Sequence, residues 1–236
     1  MFIPEEPSRV PSVLRPSAHT AALIHALHLD KERILNAHTL EMGSGSGVVL
    51  AALARLGAAS LCGIDVEPDA VAAGTLLLQD LGYGSRSQVH HGSLWQPVAG
   101  RRFDLIVANL PHFALKDDEV HGRYPTWSAG GQDGRRLLNP FLTGLGDHLA
   151  VKGRAILTHN GFVGLDLSRE IVAAQGLALR VVTSVLVVID QEKLALMTPS
   201  LLRAEKGKSI HLYGPYAFAD MHVVEISTKD WDSYVG

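Results

Sequence analysis

A single cysteine, Cys62, stands among 236 residues, so the chain can build neither a disulfide framework nor a thiolate metal cluster of its own. Cys62 falls in an apolar run ending a probable strand and reads as a small buried hydrophobe rather than a nucleophile. No charge sign is in excess: 21 Lys and Arg stand against 24 Asp and Glu, for a formal net charge of −3. A broad basic face for nucleic acid is therefore not expected. No segment approaches the roughly 18 consecutive apolar residues that span a bilayer. The opening MFIPEEPSRVPS places prolines and charges where a secretory signal has its apolar core. The expectation is a soluble cytoplasmic protein with neither membrane nor nucleic acid as partner. Twelve histidines are present, but neither His25 and His28 nor His90-His91 has a zinc spacing with a third ligand nearby.

What is present is the rhythm of an α/β domain. With 47% of residues hydrophobic, a full core is available, and the length fits one domain. Residues 1–16 carry four prolines and read as an extended arm. Residues 17–29 read as a helix capped by Ser17, so 1–30 form an arm and helix covering the active site. Strands are expected at 39–42, 61–65, 88–91, 103–108, 155–158, 181–189 and 223–227. Helices are expected at 47–56, 68–81, 134–150 and 165–175, with Pro68 in a first turn. Alternation of this kind implies a doubly wound, mostly parallel seven-stranded sheet over 31–236, a Rossmann-like arrangement. Residues 190–220 break the rhythm as an insertion, with a possible helix at 194–204.

The first strand runs into Glu41-Met42-Gly43-Ser44-Gly45-Ser46-Gly47. Three alternate glycines after a strand let the backbone turn tightly against a ligand. A dinucleotide loop needs G-x-G-x-x-G/A, and here the sixth position is Val48 from Gly43 or Leu50 from Gly45. Glu41 would repel a pyrophosphate but suits an ammonium or sulfonium. Asp65 ends the next strand, where ribose hydroxyls can donate to it. A ligand with a cationic amino-acid end and a ribose, but no phosphate, is S-adenosylmethionine. Val66, or the adjacent Glu67, and Ser93 are candidates for the adenine pocket. Ser46 lacks the context of an esterase elbow.

The fourth strand ends in Asn109-Leu110-Pro111-His112, at the carboxyl edge where such sheets carry chemistry. Asn109 offers a donor and an acceptor to a weakly nucleophilic nitrogen. His112 could serve as a general base or line the pocket; both readings stay open. Catalytic candidates are thus Asn109, Pro111 and His112, and cofactor candidates are Glu41, Gly43, Gly45, Gly47, Asp65, Val66, Ser93 and Asn109.

Asn109-Leu110-Pro111-His112 resembles the Asn-Pro-Pro-Tyr motif of amino-methyltransferases, which act on nucleobase exocyclic amines or glutamine amides. Arg15-Pro16-Ser17-Ala18-His19-Thr20 and Gly130-Gly131-Gln132-Asp133-Gly134 resemble segments of the HemK-like release-factor glutamine methyltransferases. The likeness spans roughly residues 13–165. It implies a class I methyltransferase. Leu110 stands in place of a proline, His112 of an aromatic and His19 of an acid. The expected activity is methyl transfer to a nitrogen or oxygen acceptor on a protein side chain or small molecule. The alternatives are an adenine exocyclic-amine methyltransferase on RNA or DNA, and a non-catalytic scaffold that keeps the cofactor fold. Tyr124, Trp127 and Trp95 are candidate pocket walls, and Asp117-Asp118-Glu119 a solvated turn.

Overall fold

The computed structural model describes residues 16–115 and 128–228. Eight strands form one sheet: β1 His38–Met42, β2 Ser60–Asp65, β3 Ser87–His91, β4 Phe103–Ala108, β5 Leu149–Asn160, β6 Leu177–Ile189, β7 Ile210–Tyr213 and β8 Tyr216–Thr228. Their order is β3-β2-β1-β4-β5-β8-β6, with β7 paired to β8. The pairs from β3 through β5 are parallel, while β8 runs antiparallel to both β5 and β6. The expected seven strands are all present. An additional one, β7, lies in the segment read from sequence as an irregular insertion.

The helices are α1 Ala18–Leu29, α2 Val48–Arg55, α3 Pro68–Asp80, α4 Leu138–His148, α5 Leu165–Ala173, α6 Gln191–Leu196 and α7 Pro199–Glu205. Strand order advances outward through β1, β2 and β3, then reverses to β4 and β5. Right-handed crossovers therefore place α2 and α3 on one face of the sheet and α4 on the other. The core fills both interfaces; Leu40, Leu50, Leu53, Leu105 and Phe141 are fully buried. Among the described residues, no helix is long and apolar enough to cross a membrane.

Local sequence accounts for the ends that matter. At the start of α1, Ser17 Oγ accepts from Thr20 N and Thr20 Oγ1 accepts from Ser17 N at 3.3 Å, a reciprocal capping box. The far end of α1 is held by charge. Asp30 accepts from Arg154 Nη2 of β5 at 2.5 Å, and the buried Glu225 of β8 takes Arg33 at 2.9 Å and Arg180 of β6 at 2.6 Å. Pro68 opens α3 at its first turn, where its missing N–H costs nothing. Gly47 precedes α2 in the left-handed region, φ 78°. A Cβ there would stand 2.8 Å from the Gly74 Cα of α3, so two glycines let the loop and α3 touch backbone to backbone. Cys62 is buried in β2, as expected.

Candidate active site

The strand order reverses between β1 and β4. Their register pairs Met42 with Ala108, and Met42 also pairs with Ile64 of β2. The next residues along the three strands, Gly43, Asn109 and Asp65, therefore emerge side by side at the carboxyl edge, the switch point of the fold. They line a cleft of about 270 Å³ together with Glu41, Ser44, Glu67, His19, His112 and Lys193.

The glycine loop is held by the two acids that the sequence singles out. Asp65 Oδ2 accepts from Gly45 N at 2.8 Å, and its Oδ1 accepts from Glu67 N at 2.9 Å. Glu41 Oε2 accepts from Leu50 N at 3.2 Å, satisfying one of the amides that the start of α2 leaves open. Gly43 N and Ser44 N both donate to Ile64 O, tying the loop to β2. Glu41 is buried, and burial pushes its carboxyl well above the usual range, with the Asp65 charge adding to the effect; the Leu50 bond opposes it. A cation placed against Glu41 would restore the ionised form. Ser44 Oγ is buried with no hydrogen-bond partner among the described residues. A buried acid that lacks a counter-charge, an unpartnered hydroxyl and a second acid one strand over fit a cationic, ribose-bearing ligand.

Asn109 carries a fixed amide. Its Oδ1 accepts from Thr158 Oγ1 of β5 at 2.7 Å, and its Nδ2 donates to Thr20 Oγ1 of α1 at 3.3 Å. Thr158 is fully buried. Thr20 Oγ1 is the same oxygen that closes the capping box of α1, so the fold of that helix and the seating of Asn109 share one atom. One amide hydrogen and one oxygen lone pair of Asn109 remain for a ligand.

Two histidines flank the amide. His19 Nε2 bonds Asn160 Oδ1 at 3.0 Å, and its ring lies 5.7 Å from that of His112. Burial pushes the pKa of His112 well down, and nearby His19 and His159 push it further. Burial also lowers that of His19, with Lys193 adding to the effect. Both imidazoles are held neutral. Lys193 reaches the cleft from α6, its Nζ 4.5 Å from the Phe113 ring centroid. Gly134 presses its backbone onto His112: a Cβ on it would stand 2.6 Å from the His112 carbonyl oxygen. The Gly130–Gly134 segment thus buttresses the turn after β4.

Of the residues singled out from sequence, Glu41, Gly43, Gly45, Asp65, Asn109, Pro111 and His112 line the cleft. Gly47, Val66 and Ser93 do not. Gly47 packs on α3, Val66 is half exposed one residue past β2, and Ser93 is exposed beyond the bend at Gly92. Trp95 stacks on His148 and Phe141 of α4 instead of walling the pocket. Asp117, Asp118, Glu119, Tyr124 and Trp127 lie outside the described residues. Thr158, Asn160 and Lys193 were not foreseen. Only Lys193 had a signal, a cation within the segment that breaks the α/β rhythm.

A family model described as a methyltransferase domain matches residues 39–123. The human methyltransferase HEMK2 is 31% identical over 156 residues, covering 60% of this chain and 68% of that protein. The chain belongs to the HemK-type class I S-adenosylmethionine-dependent methyltransferases. The release factor glutamine methyltransferase of Geobacter sulfurreducens is 35% identical over 112 residues, and this HemK-type chain spans 38% of its length. Among solved structures, a T. thermophilus 16S rRNA methyltransferase in complex with AdoMet and guanosine shares the fold. Its TM-score is 0.59 at 16% identity, over 91% of this chain and 44% of that one. S-adenosylmethionine is the cofactor of this chain.

Proposed function

We propose that this methyltransferase alkylates the side-chain amide nitrogen of a glutamine in a protein. The observation that carries this reading is the fixed amide of Asn109, held by Thr158 at 2.7 Å and Thr20 at 3.3 Å beside the cofactor loop. Its remaining donor and acceptor match a second amide head to tail, N–H to Oδ1 and C=O to Nδ2. A primary amide is a weak nucleophile and carries no charge, which suits a pocket floored by two neutral imidazoles. The release factor glutamine methyltransferases among the relatives act on such a group.

The bound cofactor would supply an electrophilic methyl on a sulfonium. The residues of the chain then divide the remaining work. Glu41 neutralises the cationic end, Asp65 accepts from ribose hydroxyls, and Glu67 extends that acidic edge. Asn109, with the backbone of Leu110 and Pro111, aims the acceptor nitrogen at the methyl. His112 shapes the pocket rather than taking a proton, because burial opposes its protonation, and the proton displaced from the methylated amide would leave to solvent. The start of α1, through His19 and Thr20, forms one wall of the acceptor site, and the 190–220 segment contributes Lys193 to the other. The setting that fits this substrate is the cytoplasm.

The test is incubation of the chain with isotopically labelled S-adenosylmethionine, a purified release factor and total RNA, read by mass spectrometry of both the peptides and the nucleosides. One methyl on a glutamine is expected. Asn109→Ala is expected to keep its affinity for S-adenosylhomocysteine and to lose transfer by about 100-fold or more. Methyl found in RNA and absent from protein would refute the reading in favour of a nucleobase acceptor.

A further inference from the structure

We infer that His19 takes the proton displaced in the transfer step and carries it to solvent, with Asn160 as the residue that sets its tautomer. The inference rests on the nitrogen-acceptor reading above. His19 lies in the first turn of α1, lines the cleft and stays partly exposed. The next residue, Thr20, holds Asn109 Nδ2 at 3.3 Å, so the imidazole and the amide that aims the acceptor enter the cleft together. Behind the imidazole, Asn160 ends β5 and is wholly buried. Its Oδ1 meets His19 Nε2 at 3.0 Å, whereas its Nδ2 has no partner among the described residues. A buried donor left open is a costly arrangement for a residue that only fills space. An amide oxygen can only accept, so His19 Nε2 carries the hydrogen and Nδ1 the lone pair. Nδ1 makes no hydrogen bond among the described residues. This is a base with its orienting partner, the arrangement that proton-transfer catalysis requires.

The acceptor nitrogen forms its bond to the methyl carbon as the carbon–sulfur bond breaks, and that electron pair stays on sulfur. The hydrogen on the nitrogen passes as a proton to His19 Nδ1, and the partly exposed imidazolium releases it to water. Removing the proton as the new bond forms keeps positive charge from building on the nitrogen. His112, its ring 5.7 Å away, is 3% exposed and has no such path to water. Burial, and after it the charge of Lys193, disfavour the His19 imidazolium, while the Asn160 bond favours it. The ring is therefore neutral before transfer and sheds its proton afterwards. The other ionisable groups around it do not compete for this proton. Burial holds His112 and His159 neutral. Glu41, Asp65 and Glu67 line the same cleft from the ends of β1 and β2, and bound cofactor keeps Glu41 ionised.

The experiment uses the full chain. Single-turnover transfer is followed from about pH 5 to 9 at saturating cofactor, on the acceptor that mass spectrometry identifies. The rate is expected to be flat at high pH and to fall about tenfold per pH unit below the pKa of His19, which lies under the ordinary 6.5. His19→Gln keeps a donor for Asn160 and cannot take a proton. It should lose about 100-fold in rate together with the acidic limb, while circular dichroism and S-adenosylhomocysteine affinity stay unchanged. Nitrogen NMR of the cofactor-free chain needs no acceptor: His19 should be the Nε2–H tautomer in the parent and lose that preference in Asn160→Leu, whose transfer should slow about tenfold. Should Asn160→Leu fail to fold, the parent's tautomer and His19→Gln still decide. Three outcomes overturn the inference: His19→Gln within about threefold of the parent, an acidic limb that survives in it, or an Nδ1–H tautomer in the parent. Methyl found in RNA instead of protein would refute the glutamine reading alone, and the pH profile run on that RNA would still test His19.

Discussion

Replacing Thr158 by valine removes one hydroxyl and keeps the volume. The hydroxyl is fully buried and donates to Asn109 Oδ1 at 2.7 Å. Without it, the amide oxygen loses its partner and the amide can rotate about its last bond, exchanging oxygen for nitrogen. Leaving a buried acceptor unsatisfied costs about 1–3 kcal/mol. If that cost falls only on the geometry of transfer, the rate drops roughly ten- to a hundredfold. If it falls on folding, the thermal midpoint drops by about 2–4 °C per kcal/mol for a chain of this size. The assay is single-turnover transfer to the glutamine acceptor at saturating cofactor, beside calorimetry with S-adenosylhomocysteine. The expected result is slower transfer with unchanged cofactor affinity, and recovery in Thr158→Ser, which keeps the hydroxyl. Transfer within twofold of the parent, with a lowered midpoint, would show that Thr158 serves stability alone and that Asn109 does not need its orientation fixed.

Glu41→Gln should raise the thermal midpoint of the cofactor-free chain at neutral pH and weaken S-adenosylhomocysteine binding. Burial raises the folded pKa of this acid, so its ionised form destabilises the fold as pH rises from the ordinary carboxylate range through that raised value; an amide escapes this and can still accept from Leu50 N. A variant less stable than the parent at about pH 8 would sink that account. Gly47→Ala puts a Cβ 2.8 Å from Gly74 Cα at a positive φ, and urea denaturation should show a loss of about 1–3 kcal/mol or more; an unchanged midpoint would contradict it. Glu225 behaves oppositely to Glu41. Burial pushes its carboxyl up, but the bonds from Arg180 and Arg33 outweigh this and hold it below the ordinary value of 4.5. Its contribution is complete above that value and is lost as pH falls through the lowered folded pKa. Melting curves should fall across that acidic window, and Glu225→Gln should start lower and fall less steeply.

The parts of the site carried by local pattern were legible in the sequence. Strand, glycine turn and helix follow one another without a break from His38 to Arg55, and Asp65 closes the next strand, so Glu41 to Gly47 and Asp65 declared their neighbours. The turn at Asn109 declared itself by following a buried strand. What holds Asn109 did not: Thr20 lies 89 residues before it and Thr158 49 residues after it, and only the sheet order brings them together. Val66 and Ser93 remain candidates for the adenine pocket: Val66 is half exposed one residue past β2, and Ser93 is exposed after the bend at Gly92. β7 is four residues long and gains its stability from pairing with β8, not from any periodicity of its own. The carboxyl-terminal strands run longer than their apolar stretches, since hydrogen bonds to a neighbour continue after the hydrophobic signal ends.

The charged cluster at the end of α1 gives that helix the mechanics of a cantilever. One end is bolted to β5, β6 and β8 through Asp30, Arg33, Arg154, Arg180 and Glu225; the other end, about 18 Å away, holds Thr20 against Asn109. The glycine loop has no share in the bolt. Acid that protonates Glu225 therefore slackens the acceptor wall first, and turnover should fade at a pH where the cofactor product still binds at full strength.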